Sequence, residues 1–247
     1  MRDTDADWAA IANTQPFFGV IAAERFLTDN LTPSAVDEFY ESGRADVEEA
    51  VASYRRMTGS DFTPKRALDF GCGVGRMTLS MRRHAREVVG VDVAPRMLEI
   101  GREQADARKV TNVEFRSTLP TERVDWVISL IVLQHIPPVR GHAILEQLVD
   151  LLNPGGWFSV QLTFFHDERH VGEVARDIAD YRYDGQTVEL LSAREAEVGG
   201  MSMYDYDLNR VYRTLFRAGI GEVLAKHTDH GGCHGAWLFG RKTPSTG

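Results

Sequence analysis

Three glycines at alternate positions, Gly71, Gly73 and Gly75, follow directly on the apolar run Ala67, Leu68, Asp69, Phe70, and this segment constrains the fold more than any other. A short apolar run bounded by turn residues reads as a buried strand. Glycines behind it allow a tight turn and close approach of a ligand to the backbone. A helix expected from about Gly75 completes a strand–turn–helix unit. The acid Asp69 precedes the glycines. A dinucleotide site seats a pyrophosphate on the N–H groups of a helix start, and a carboxylate there would repel it. A ligand with an ammonium and a sulfonium would be welcomed. The spacing is GxGxG, not the GxGxxG of the dinucleotide fingerprint. Asp92 ends the next expected strand (87–92), where a carboxylate can grip both hydroxyls of a ribose.

Strand–helix alternation continues from Lys65. Strands are expected at 66–70, 87–92, 112–116, 124–130 and 157–164. Helices follow Pro95 and end near Leu152, where Asn153, Pro154, Gly155 and Gly156 stop the pattern. Such alternation builds a parallel sheet with helices on both faces. The tail breaks the rhythm: after a helix at about 205–218, strands at 220–227 and 236–241 have no helix between them, so they should be antiparallel. The first 60 residues read as helical. One helix should begin at Thr32 and Pro33. Another should begin at a capping box, Asp46 with Glu49, carry Val47, Ala50, Val51, Tyr54 and Met57 on one face, and end at Gly59. The chain therefore divides into an N-terminal helical extension or lid (1–60) and an α/β domain (61–247). An insertion at about 165–204 is longer than ordinary connections. It carries Tyr181, Tyr183 and Asp184, with Tyr204 and Tyr206 close by.

The net charge of −8 argues against a nucleic-acid partner, since such binders usually carry a basic face. The longest apolar stretch (124–136) holds Asp125, Gln134 and His135 and falls short of the roughly 18 apolar residues of a membrane span. The acidic N-terminus lacks an apolar signal core. Two cysteines, Cys72 and Cys233, are too few for a disulfide framework, and a reducing cytoplasm is the simple reading.

LDFGCGVGR (68–76), GVDVAPRML (90–98), VDWVISLIVLQHIP (124–137) and LLNPGGW (151–157) together resemble the class I S-adenosylmethionine-dependent methyltransferases. The resemblance runs from about residue 66 to 156 and again over the terminal strand pair. It implies a doubly wound, Rossmann-like α/β sheet of seven strands in the order 3-2-1-4-5-7-6, with strand 7 antiparallel. S-adenosyl-L-methionine is the implied cofactor. By position, Asp69, Gly71 and Gly73 should face its methionine part, Asp92 its ribose, and Val93 and Met97 its adenine. Ser117 and Thr118 stand where the family often has an aspartate on the adenine amine, and that aspartate is missing here. Ser129 and Leu130 should lie near the methyl group.

Methyl transfer needs alignment and dryness, and a hydroxyl acceptor also needs a base. Histidine suits that role near neutral pH. His135, His166, His170, His230 and His234 fall on segments expected at the carboxyl edge of the sheet, and His135, His166 and His230 are favoured. Each could equally be a hydrogen-bonded loop histidine. His227, His230, Cys233 and His234, on an expected loop at 227–235, do not match a standard zinc spacing, so no metal is assigned. Cys72 reads as a small packing residue. The expected function is methylation of a small or medium-sized organic acceptor, with oxygen favoured and N- or C-methylation open. A homodimer through the N-terminal helices is one arrangement the sequence permits. The competing readings are a non-catalytic S-adenosylmethionine-binding module and a nicotinamide-dependent oxidoreductase.

Overall fold

The alternation after Lys65 becomes a single large sheet in a computed structural model, which describes residues 3–167, 169, 179–183, 188–192 and 200–244. Its strands are β1 (Arg66–Phe70), β2 (Glu87–Val91), β3 (Val113–Arg116), β4 (Val124–Ser129) and β5 (Leu152–His166). A separate small sheet follows, made of β6 (Ala179–Tyr183), β7 (Val188–Ser192) and β8 (Tyr204–Asp205), and then β9 (Val223–His230) and β10 (Cys233–Arg241) return to the large one. The large sheet runs β3-β2-β1-β4-β5-β10-β9. Counted within that sheet alone, this is 3-2-1-4-5-7-6. The first five strands pair in parallel, and β10 pairs antiparallel with both β5 and β9.

Period-two alternation sorts the strand residues between two cores. Leu68 and Val127 join Leu145, Leu148, Val211 and Leu215 on the face covered by α6 (Pro138–Leu151) and α7 (Leu208–Arg217). Ala67, Trp126 and Ile128 turn to the other face and meet Val47, Val51 and Tyr54 of α3 (Pro33–Thr58). Trp126, Val127 and Ile128 are all fully buried, as a central parallel strand requires. A third cluster packs Phe17, Phe26, Phe39 and Tyr40 against Met97 and Ile100 of α5 (Pro95–Ala107), which ties the N-terminal segment to the sheet domain.

Three local expectations change. The two N-terminal helices expected from Thr32 and Asp46 are one helix of 26 residues, α3. Thr32 does cap it, its Oγ1 accepting from Ala35 N, and Gly59 ends it at φ 63°. Asp46 is no cap, because its carboxylate accepts from Arg76 Nη1 at 2.6 Å. Gly43 sits mid-helix for packing: a Cβ there would come within 2.3 Å of the Arg76 carbonyl oxygen. The helix after the glycine turn is only Thr78–Met81, α4. The expected loop at 227–235 shrinks to Gly231 and Gly232, both at positive φ (67° and 97°), because a two-residue hairpin turn needs that conformation.

Candidate functional site

A cavity of about 520 Å³ opens beyond the carboxyl ends of β1, β2 and β4, where parallel α/β sheets place their ligands. Its floor is the glycine turn. Gly71 N and Cys72 N both donate to Val91 O (2.8 and 3.0 Å), which draws the turn onto the end of β2. Gly71, Gly73 and Gly75 all have positive φ (73°, 52° and 84°). A Cβ on Gly71 would lie 2.3 Å from Val132 Cγ1, and one on Gly73 2.7 Å from Val20 Cγ2, so the turn is closely covered.

Asp92 lines the cavity beside this turn. Its Oδ2 accepts from Gly73 N and its Oδ1 from Ala94 N, both at 2.9 Å. Burial pushes its carboxyl up, against the pull of those N–H groups. Each oxygen keeps a lone pair, as a carboxylate awaiting two more donors would. Val93 and Met97 continue this wall, and Leu130, Ile131 and Val132 form the opposite one. Ile131 is held at φ 58°, a rare conformation for a β-branched residue, and Gln161 Oε1 accepts its N–H at 3.0 Å. Strain of this kind clusters at working sites.

The N-terminal segment roofs the cavity with Trp8 from α1 (Thr4–Thr14) and with Val20 and Ile21 at the end of α2 (Pro16–Val20). The far end carries His135, Met201, Met203, His230 and Cys233. His135 is buried, its ring edge-on to Trp8 at 5.1 Å. Its Nδ1 donates to Ser202 O at 2.9 Å, because a carbonyl can only accept. Burial pushes its pKa down, which favours the neutral ring, and its Nε2 faces Gln134 Nε2 at 3.4 Å. Burial likewise lowers His230. Two arginines reach the cavity already paired, Arg76 with Asp46 and Arg140 with Asp5 (both 2.6 Å).

Thus Gly71, Gly73, Asp92, Val93, Met97, Leu130, His135 and His230 meet at one cavity. Asp69, Ser117, Thr118, Ser129 and His166 are not on its wall. Asp69 points behind the turn, where Thr78 Oγ1 donates to its Oδ2 at 2.6 Å, and burial lifts its carboxyl to about 6. Ser117 and Thr118 are exposed, because β3 ends at Arg116 at the sheet margin. Ser129 is wholly buried, and its Oγ has no hydrogen-bond partner among the described residues. His166 is buried beside Asp205 (Nδ1 to Oδ2, 2.8 Å). His170 and Asp184 lie outside the described residues, and only the backbone of Tyr181 and Tyr183 is described. Tyr204 and Tyr206 are core residues, the Tyr206 hydroxyl donating to Leu133 O and Ile136 O (2.8 Å each) beneath the His135 loop. His227 Nε2 and His234 Nδ1 lie 2.9 Å apart, and His234 Nε2 faces Asp167 Oδ2 at 2.9 Å. Among the described residues no three such side chains converge as a metal would need.

The sequence reading missed Trp8, Arg76 and Arg140 on the wall. Arg76 could have been noticed, since it closes the glycine motif. Trp8 and Arg140 carry no motif signal.

Residues 67–156 match the family described as a methyltransferase domain. A carboxy-S-adenosyl-L-methionine synthase from Salmonella paratyphi C is 33% identical over 115 residues, 43% of this chain and 47% of that protein. The chain therefore spans about half the length of the curated relatives it matches. Among solved structures, magnesium protoporphyrin IX methyltransferase from Synechocystis with bound SAH shares the fold (TM-score 0.59, 17% identity, 84% of this chain and 87% of that one). So does the N-methyltransferase NodS from Bradyrhizobium japonicum in complex with S-adenosyl-l-homocysteine (TM-score 0.58, 11% identity, 96% and 98%). No described helix is long and apolar enough to cross a membrane.

Proposed function

We propose, from the premise that this chain carries a class I, Rossmann-like methyltransferase domain, that it is an S-adenosyl-L-methionine-dependent methyltransferase acting on a small or medium-sized organic acceptor. One observation carries the cofactor reading: the Asp92 carboxylate, braced by Gly73 N and Ala94 N at the edge of the cavity. It presents its free lone pairs where a ribose diol can donate. The apolar walls by Val93 and Met97 suit a flat base. The glycine turn leaves backbone, not side chain, at the other end, and buried Asp69 behind it favours a cationic ligand. When bound, the cofactor supplies a methyl group on a sulfonium leaving group, and the protein supplies alignment and exclusion of water.

Trp8, Val20 and Ile21 act as a lid, the role we assign to the N-terminal extension. His135 is the favoured base. Burial favours its neutral form, its Nδ1 proton is committed to Ser202 O, and its Nε2, which faces Gln134 Nε2 at 3.4 Å, would take the proton of an acceptor hydroxyl in place of that amide contact. His230 is the second candidate at the same end. A neutral base favours O-methylation, while an amine or carbon acceptor would rely on proximity alone. The relatives' name would make the nucleoside itself gain a carboxyl group. That group would add a second carboxylate to the ligand, and both cavity arginines are already held by carboxylates, so methyl transfer is preferred. Calorimetry with S-adenosylhomocysteine and with NAD tests the cofactor reading: micromolar binding of the first alone is expected, and binding of NAD alone overturns it in favour of an oxidoreductase. Turnover then separates an enzyme from a binding module.

A further inference from the structure

A second cavity, of about 650 Å³, lies at the amino edge of the large sheet, away from the cofactor cavity, and methyl transfer does not use it. Lys65, Arg66, Arg86, Arg123 and Arg241 line it. The topology explains why they meet. Lys65, Arg86 and Arg123 are the residues that immediately precede the parallel strands β1, β2 and β4. β10 runs antiparallel to its neighbour β5, so its last residue, Arg241, comes to the same edge, opposite Trp157.

These five cations face two lining carboxylates, and both acids are engaged. Asp125 Oδ2 accepts from Lys65 N and Arg66 N (2.8 and 3.1 Å), and its Oδ1 from Asn153 Nδ2 at 2.8 Å. Glu87 Oε2 accepts from Arg66 Nε at 2.9 Å. Lys65, Arg86, Arg123 and Arg241 are exposed, and none forms an ion pair among the described residues. Arg123 donates to Asp150 O and Leu152 O, where it also closes α6, and Arg241 to Gly155 O. A carbonyl satisfies an N–H group without neutralising the charge. No hydrogen bond among the described residues holds the side chains of Lys65 or Arg86. In a chain of net charge −8 this cavity is a local reversal of sign. The cofactor cavity is the contrast: Asp92 lines it, and its two arginines are both held by carboxylates.

We propose that the amino-edge cavity binds a small ligand carrying several linked phosphate groups. Guanidinium forks match phosphate oxygens in pairs. In sheet order the cations come from β2, β1, β4 and β10, with β5 between the last two. Neighbouring strands lie about 5 Å apart, so the charges form a short row that suits a chain of phosphates better than a single one. The cavity has the volume of a small-molecule site. The negative charge of the rest of the chain would repel a nucleic-acid strand running on beyond it. Inorganic polyphosphate and a nucleoside triphosphate share the recognised chemistry.

Calorimetry of the full chain at low salt, with inorganic tripolyphosphate as the probe, tests this. Saturable binding of one ligand per chain is expected, with orthophosphate at least about tenfold weaker. Lys65→Ala combined with Arg86→Ala should weaken tripolyphosphate binding by about tenfold or more, as loss of charge-assisted hydrogen bonds implies. Neither side chain is hydrogen-bonded in the protein, so the fold should survive the change. Arg213→Ala combined with Arg217→Ala removes the same charge from the exposed face of α7 and should leave the affinity unchanged. ATP binding more tightly than tripolyphosphate, and sensitive to Lys65 and Arg86, would assign the ligand to the nucleotides; weaker ATP binding would assign it to inorganic polyphosphate. Failure to saturate, equal affinity for orthophosphate and tripolyphosphate, or equal losses in the two double variants overturns the proposal. So does a single-stranded RNA oligomer that binds more tightly than either probe, which would make the edge a nucleic-acid surface. The proposal does not rest on the cofactor reading, and failure to bind S-adenosylhomocysteine would leave the tripolyphosphate result intact.

Discussion

Gly73 N donates to Asp92 Oδ2 at 2.9 Å, so the first turn of the sheet and the tip of the neighbouring strand are one unit. The bond fixes the carboxylate rotamer before any ligand arrives. Ala94 N holds the second oxygen, and the acid is presented with its remaining lone pairs facing the cavity.

Asp92→Ala should therefore weaken S-adenosylhomocysteine binding by about 10- to 100-fold, as the loss of hydrogen bonds to a charged group implies. Asp92→Asn, which keeps one acceptor, should lose less. Calorimetry reads both, and an unchanged Kd for the alanine variant would remove the ribose role.

The glycine turn allows a steric prediction with an internal control. Gly71→Ala combines positive φ with a Cβ only 2.3 Å from Val132, whereas a Cβ on Gly59, also at positive φ, meets nothing within 4 Å. Strain alone costs about 1–3 kcal/mol and overpacking adds a similar amount. Urea denaturation should show Gly71→Ala clearly less stable than Gly59→Ala. Equal losses would mean that Val132 yields freely.

The order of the large sheet was legible because apolar runs, glycine turns and the missing helix before β10 are local signals. Asp92 was legible because it ends a strand beside the turn. Asp69 was legible as an acid but not in its direction: along β1, Leu68 and Ala67 divide between the two faces, and Asp69 is taken up by Thr78 rather than by the cavity. The single long α3 was misread because Asp46 and Glu49 fit a cap pattern locally, while the partner that claims Asp46, Arg76, is 30 residues away. Trp8 and Arg140 reach the site by tertiary packing, which no spacing rule encodes.

His135 and Trp8 separate two roles at the far end. His135→Ala should lower methyl transfer by about 100-fold or more if the ring is the base, with little change in S-adenosylhomocysteine affinity. Trp8→Ala should leave the base in place and speed dissociation of the nucleoside, since the indole roofs the cavity. Stopped-flow release and single-turnover transfer distinguish the two. Normal transfer in both His135→Ala and His230→Ala would remove these two residues from the mechanism.

Asp69 gives a pH dependence whose sign is opposite to that of a salt-bridged acid. Its carboxyl titrates near 6 when folded against 3.8 for the ordinary group, chiefly through burial. Between those values the folded state binds more protons than the unfolded state, so this group makes stability fall as pH rises through that window. Above the window the buried charge costs on the order of 3 kcal/mol, and below it the cost vanishes. Asp69→Asn keeps an acceptor for Thr78 Oγ1 and removes the charge. The ligand-free variant should therefore melt higher than the wild type at pH 7.5 and show no gain at pH 4. A cationic nucleoside relieves the same buried charge, so the wild type should bind S-adenosylmethionine more weakly below pH 6, a dependence the variant should lack. Differential scanning calorimetry and titrations at the two pH values read both effects. A melting gain of equal size at pH 4 and pH 7.5 would show that burial does not raise the Asp69 carboxyl above its ordinary range, and the pH dependence of ligand binding would go with it.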